Sequence, residues 1–212
     1  MDTFQAIKSR RSVRKFKSKK IPDEILYAIF EAGHAAPSAG NFCNWRFFIV
    51  EDEEQKESIA NAAYKQEWIA KAPVVVIVCS VSDPLAREYG SDKGKVYAIQ
   101  NVAAAIENIL LAAHNFGVAS CWVGAFNESK LKNEFEIPDD TEIQAIVPLG
   151  YADEKPVTPD KPDFSTVLYF RKWEEGKRKE SKTIGVHAEN IQEKISKKVN
   201  KAVEKIKSKV KK

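Results

Sequence analysis

The sequence predicts an α+β fold, a three-layer sandwich in which a central, mainly antiparallel sheet is flanked by helices on both faces. Helical and strand-like segments alternate along the chain without the regular period of β-α-β units. The run from Pro73 to Cys79 is rich in β-branched residues and is typical of a strand buried on both faces. The segment from Tyr97 to Phe116 has a very broad apolar face, which indicates a helix packed in the core or at a subunit interface.

The elements of the N-terminal part follow from local signals. Asp2 to Lys8 predicts a short helix with Phe4 and Ile7 directed inward. Pro22 to Ala35 predicts a second helix, because proline suits the first turn and acidic residues follow it. Arg46 to Val50 predicts a strand.

The remaining elements are predicted in the same way. Glu53 to Tyr64 is typical of an exposed helix whose inward face carries Ile59, Ala62 and Ala63. Asp83 to Lys95 has mixed polarity and two glycines, so we expect a loop or lid. Gly117 fits a helix C-cap after the long helix, whose broad apolar face includes Ile99. The last two strands are Ala119 to Val123 and Glu142 to Leu149.

Composition predicts a cytoplasmic protein. The chain has 212 residues, of which 43% are hydrophobic, and its net charge is +4. We find no apolar stretch that we expect to span a bilayer, and the N-terminus lacks the apolar region of a signal peptide. Three scattered cysteines without metal-ligand spacing fit a reducing compartment.

A basic extension follows the predicted domain of residues 1–170 and occupies residues 171–212. Its apolar residues recur every three or four positions and are flanked by lysine: Ile191, Ile195, Val199, Val203, Ile206 and Val210. This pattern predicts an amphipathic helix that packs on its own domain or on a partner subunit. Contact with a membrane surface or a nucleic acid is an open alternative, although neither is expected, and a disordered tail is another.

Two short runs near the N-terminus contain the residues that predict a ligand-binding site. Arg10-Arg11-Ser12-Val13-Arg14 places three guanidinium groups and a hydroxyl within five positions, a set that suits an anionic ligand. Ala36-Pro37-Ser38-Ala39-Gly40-Asn41-Phe42-Cys43-Asn44-Trp45 forms a turn of small residues that lets the backbone approach a flat ligand. Each run alone also fits an ordinary solvated face or an ordinary turn.

Together, in this order, the two runs resemble those of the nitroreductase family of FMN-dependent flavoproteins. The resemblance covers roughly residues 1–170, because the order continues through four further segments. These are Ala72–Val78, Gln100–Ala113 and, near the end, Gly117–Gly124 with Ile146–Tyr151.

The resemblance implies a set of cofactor contacts. Arg14 would stabilise negative charge near N1 and O2 of the reduced flavin. Arg10 and Ser12 would contact the phosphate and ribityl chain, while Arg11 either joins them or serves only the surface. Trp122, Val123 and Gly124 would form a segment that runs along the flavin ring. Lys161 would be a further cation that binds the phosphate.

The turn that holds Pro37, Ser38 and Asn41 would contact the flavin edge from the other subunit of a homodimer. Here the sequence departs from the family, because Cys43 and Asn44 stand where glutamine and proline are commoner. Cys43 as a redox-active thiol is a weaker alternative, because no base lies near it in sequence. Glu107 is unusual in a buried helix, and we expect it to pair with an arginine or to face an interface.

The implied function is an NAD(P)H-dependent FMN oxidoreductase that reduces a nitroaromatic, quinone or similar small acceptor by a ping-pong mechanism. The flavin performs the chemistry, so no side chain is assigned as catalytic, and no metal site is predicted. Two alternatives remain open. One is a specialised flavoenzyme of the same fold, a dehalogenase or a flavin-cleaving enzyme. The other is a non-catalytic flavin-binding or interaction protein with a basic tail.

Overall fold

A five-stranded antiparallel sheet lies at the centre of the protein. The structure is a computed structural model that describes residues 1–169 and residue 173. The strands are β1 (Phe16–Lys17), β2 (Trp45–Val50), β3 (Val74–Val81), β4 (Ala119–Ser120) and β5 (Thr141–Ala152). Their order is β1-β5-β3-β2, and β4 also pairs with β5. All of these pairs are antiparallel, which confirms the predicted sheet.

Helices cover both faces of this sheet. They are α1 (Thr3–Ser9), α2 (Asp23–His34), α3 (Glu53–Ala62), α4 (Asp83–Tyr89), α5 (Ser91–Asn115) and α6 (Glu128–Glu134). Polar side chains cap three N-termini, since Asp2, Asp52 and Asn127 each accept a hydrogen bond from a backbone N–H three residues on. At the other end of α5, Gly117 has φ +76° and its N–H donates to His114 O, as its C-cap role predicts.

Two hydrophobic cores lie on opposite faces of the sheet. Val75 and Ile77 of β3 pack in the core under α3 and α6, whereas Val74, Val76 and Val78 pack in the core under α2 and α5. Because alternate residues of a strand point to opposite faces, β3 contributes to both cores and is buried on both faces. This arrangement confirms the three-layer sandwich.

The segment from Asp83 to Lys95 is helical, so its prediction as a loop or lid is wrong. It forms α4 and the first turn of α5, and Leu85 is fully buried. Gly94 is buried where α5 crosses α4: a Cβ at this position would lie 2.5 Å from the backbone of Ala86. The glycine that suggested a loop is therefore required by close helix packing.

Several apolar residues lie on the surface of the single chain, and two of them, both in α1, were predicted to face inward. Phe4 and Ile7 of α1 are 40% and 53% exposed, and only Ala6 of that helix is buried. Ile99 of α5 is 48% exposed. The periodicity correctly predicted an apolar stripe on each helix, but the fold of one chain covers only part of it.

α5 also corrects the expectation that no stretch suits a bilayer. Within the described residues it is the one helix whose length and apolar composition would allow a membrane span. Its residues Val102, Ile106 and Ile109 are fully buried against α2 and the sheet, however. The helix thus has the packing of a core helix in a folded domain.

The chain divides into two compact units, Met1–Thr158 and Pro159–Lys212. In the second unit the structure describes a short 3-10 turn, Phe164–Val167, and a stacked pair of rings, Tyr169 and Trp173, whose centroids lie 4.0 Å apart. The predicted amphipathic helix with its Ile/Val stripe lies outside the described residues. The division at residue 170 stays a prediction.

Candidate functional site

The arginine run follows α1 directly and pairs with the strand after α5. Ser12 and Ser120 form a parallel bridge, and Val13 N donates to Ser120 O at 3.0 Å. Glu154 fixes the next residues, because its carboxylate accepts hydrogen bonds from the backbone N–H groups of Arg14 and Lys15. These contacts hold the run beside the predicted segment 122–124, more than 100 residues away in sequence.

A cavity of about 340 Å³ opens beside this run. Arg10 and Arg11 line it together with Ser9 and His114, whose side chains are hydrogen bonded at 2.7 Å. The other lining residues are Met1, Val13, Gly117, Val118, Ala119, Ser120, Ala152 and Pro156. The two guanidinium groups provide a set of donors that suits a phosphate.

The two cavity arginines are held differently. Arg10 Nε lies 3.7 Å from Glu107 Oε1 of α5, which confirms the predicted pairing of Glu107 with an arginine. Arg11 donates from Nη1 to the carbonyl oxygens of Lys8 and Arg10, at 2.7 Å each, and reaches Thr158 Oγ1 from Nε and Nη2. Arg11 is therefore tied to the cavity wall by the backbone.

The arginines of the run act to lower the pKa of two neighbouring groups, the buried Cys121 and the half-buried His114. Burial raises the pKa of the Cys121 thiol, while Arg14, a hydrogen bond from Ser12 and then Arg10 act to lower it. Burial lowers the pKa of His114, and Arg10 and Arg11 lower it further. The side chains of the run are thus close enough together to form one local positive field, the condition for holding an anion.

The segment 122–124 runs along the same edge of the sheet. Val123 is buried and exchanges two backbone hydrogen bonds with Ile146, at 2.9 and 3.0 Å. Trp122 is 40% exposed, and a Cβ at Gly124 would meet nothing within 4 Å. The segment therefore offers an exposed ring and an open stretch of backbone next to the arginine run.

The turn with Pro37, Ser38 and Asn41 is attached to a different part of α5. Ala39 N donates to Asn101 Oδ1 at 2.9 Å, and Asn101 Nδ2 donates to Asn44 Oδ1 at 2.8 Å. Asn44 in turn donates to Ala98 O, so the asparagine that replaces proline is buried and anchors the loop. Cys43 adopts φ +45°, and its N–H donates to Ser38 Oγ.

The turn with Pro37 and the arginine run thus contact α5 at different positions along its length. The turn contacts α5 at Ala98 and Asn101, while Arg10 of the arginine run contacts it at Glu107 and the preceding Ser9 contacts it at His114. At a rise of about 1.5 Å per residue, roughly 9 Å of helix separate Asn101 from Glu107. The structure brings Arg10, Arg11, Ser12 and Arg14 together with residues 122–124, but attaches the turn elsewhere.

Comparison with known proteins identifies the fold and its family. The family model described as "Nitroreductase family" matches residues 7–66 and 61–151, most of the first unit. A relative from Methanothermobacter thermautotrophicus, provisionally named an NADH dehydrogenase/NAD(P)H nitroreductase, is 32% identical over 177 residues, 82% of this chain and 88% of the relative. The chain belongs to the nitroreductase family. Membership confirms the resemblance and the predicted class, an NAD(P)H-dependent oxidoreductase with FMN as its cofactor.

Two further comparisons bear on fold and function. The structure of an FMN-dependent nitroreductase from Clostridium difficile R20291 superposes with a TM-score of 0.70 at 24% identity, covering 80% of this chain and 99% of that one. This likeness confirms the fold. An iodotyrosine deiodinase from Thermotoga neapolitana is 26% identical over 182 residues, 74% of this chain and 92% of the relative. The nitroreductase-family chain therefore also has dehalogenating relatives.

The two core cysteines are buried, whereas the candidate phosphate-binding lysine is exposed. Cys79 and Cys121 are buried core residues, as predicted, and burial raises the pKa of Cys79 to about 11. Lys161 is exposed and belongs to the second unit, so its predicted phosphate contact stays a prediction. Sequence reasoning missed the Ser9–His114 hydrogen bond and the contact of Arg14 with Trp68, because neither pair has a local sequence signal.

Proposed function

We propose that this member of the nitroreductase family passes a hydride from NAD(P)H to a nitroaromatic, quinone or similar small acceptor in the cytoplasm. The observation that carries the proposal is the cationic cavity beside Ser12 and residues 122–124. Its donors fit a flavin phosphate, since Arg10 and Arg11 line a space of about 340 Å³. Three free cysteines support a reducing compartment.

Each part of the site then has a role. Arg10, Arg11 and Ser12 hold the phosphate and ribityl chain. Arg14 is the electrostatic stabiliser of the reduced cofactor. Trp122, Val123 and Gly124 pass the ring, and Gly124 leaves space for it. When bound, FMN supplies the hydride chemistry, and the protein supplies binding, orientation and charge.

The absorption spectrum of the purified chain tests this function. We expect flavin bands that bleach when NADH or NADPH is added without air and return on addition of a quinone, and we expect released flavin to be FMN. Steady NAD(P)H consumption with the quinone separates an enzyme from a non-catalytic flavin binder. Release of FAD, or reduction without turnover, would contradict the proposal. Iodotyrosine tried as the acceptor in the same assay tests the dehalogenase alternative.

The exposed apolar residues of α1 and α5 support a homodimer. Phe4, Ile7 and Ile99 are large, apolar and partly open to water in one chain. A second copy would cover them, and its turn with Pro37, Ser38 and Asn41 would then complete the flavin site. The attachment of that turn away from the arginine run fits this arrangement.

A charge on this surface is expected to weaken the dimer. Ile99→Glu would bury an unpaired carboxylate and should raise the dimer dissociation constant by roughly tenfold or more. Light scattering across a concentration series measures this dissociation constant. Val157→Glu is the matched control, because Val157 is 86% exposed and lies on neither α1 nor α5. A wild-type monomer that still holds FMN at micromolar concentration would contradict the proposed dimer.

A further inference from the structure

The loop between α3 and β3 has an unusual backbone. Tyr64 and Lys65 have φ values of +56° and +59°, the left-handed region that residues with a Cβ rarely adopt. Such conformations persist only where the surroundings hold them, and they concentrate at functional sites. Here the next residue fixes the loop, because Gln66 N donates to Ala60 O and Gln66 Nε2 donates to Ala63 O.

This loop contacts both segments that form the candidate site. The guanidinium of Arg14 lies over the ring of Trp68, 5.8 Å from its centroid. Gln66 Nε2 donates to Ala125 O, directly after Gly124. Asn127 N donates to Ala62 O at the end of α3, so a second hydrogen bond ties the segment after Gly124 to this region. The loop thus joins the arginine run to residues 122–125.

Trp68 is the fixed partner in its contact with Arg14. Its ring is half-buried and packs against the core under α3 and α6, whereas Arg14 is exposed. A long exposed side chain samples many rotamers, and ordering it opposes binding. An anchored aromatic face attracts a guanidinium and restricts it to fewer positions.

We propose that Trp68 is a positioning residue for Arg14, and that it favours the reduced, anionic state of bound FMN over the oxidised state. The inference rests on the proposed function, because it takes Arg14 as the cation at the flavin. Trp68 does not itself touch the reacting atoms. It holds the guanidinium in place before the flavin is reduced, so less ordering is needed as the negative charge develops.

The midpoint potential of bound FMN, compared with that of free FMN, tests this role. The difference reports the ratio of the dissociation constants of oxidised and reduced FMN. Trp68→Leu keeps apolar bulk but removes the aromatic face, and it should lower this ratio three- to tenfold. That change corresponds to about 15–30 mV toward more negative potential, at about 30 mV per tenfold for two electrons. Trp68→Phe retains an aromatic face, so its shift in potential should be at most half of that caused by Trp68→Leu.

A double-mutant cycle shows whether Trp68 acts through Arg14. In an Arg14→Leu background, Trp68→Leu should cause no further shift in potential. Tyr151→Leu is the matched control, because it removes the contact of a half-buried ring with Lys19, 4.4 Å from its centroid, and this ring packs against the other core, under α2 and α5. We expect this control to leave the potential unchanged.

Three results would overturn the inference. If Trp68→Leu lowers the thermal midpoint but not the potential, Trp68 only stabilises the fold. If it shifts the potential equally without Arg14, Trp68 does not act through that arginine. If the wild-type chain binds no flavin, the proposed function fails first, and the inference fails with it.

Discussion

Replacing Arg10 with alanine is expected to weaken FMN binding about 10- to 150-fold. Arg10 lines the cationic cavity, and its Nε lies 3.7 Å from Glu107 Oε1. A hydrogen bond to a charged group contributes about 1.5–3 kcal/mol, and each 1.4 kcal/mol is tenfold in affinity. Titration of FMN against the apoprotein, followed by quenching of flavin fluorescence, measures the change.

Arg87→Ala is the control for this measurement. Arg87 is an arginine on α4 that is 81% exposed and lies 3.9 Å from Asp83, so it also has an acidic neighbour. Its removal should leave FMN affinity unchanged. Equal affinity of the wild type and Arg10→Ala would show that the phosphate binds elsewhere.

Gly94→Ala is expected to destabilise the protein, although alanine is the better helix former. A helix-interior glycine costs about 1 kcal/mol relative to alanine, so propensity alone predicts a gain in stability. A Cβ here would lie 2.5 Å from the backbone of Ala86, however, and backbone cannot move aside as a side chain can. Overpacking of this kind costs about 1–3 kcal/mol, which corresponds to a thermal midpoint lower by roughly 2–12 °C.

Lys95→Ala at the next position of α5 provides the comparison, since Lys95 is exposed. Its thermal midpoint should stay close to that of the wild type. A higher midpoint for Gly94→Ala would mean that α4 and α5 do not approach as closely as the structure shows. The sign of the effect therefore decides between close packing and simple propensity.

Most elements of the sheet and the main helices could be predicted from local sequence. The β-branched run of β3 and the amphipathic stripes of α2, α3 and α5 are repeated over several turns or residues, so periodicity reveals them. β1 and α6 were not predicted. β1 has only two residues, Phe16 and Lys17, and is a strand because they pair with Ala152 and Tyr151 of β5.

The candidate site was predicted in part. The order of its motifs pointed to the right family, because each motif is contiguous in sequence. The contacts that organise it are not contiguous: Ser9 bonds His114, Ser12 bridges Ser120, and Trp68 lies under Arg14. Periodicity carries no information about such pairs. The predicted contacts to FMN themselves stay predictions.

The sequence by itself determined the layers of the fold and, by resemblance, the class of enzyme; the residues that contact a flavin stay predictions. Only the tertiary structure decided that Gly94 is a packing residue, that Phe4 and Ile7 remain exposed, and that Glu107 pairs with Arg10. The physical reason is the range of the interactions. Helix and strand periodicity act over a few residues, whereas close packing, exposure and ion pairing depend on which distant segments the fold brings together.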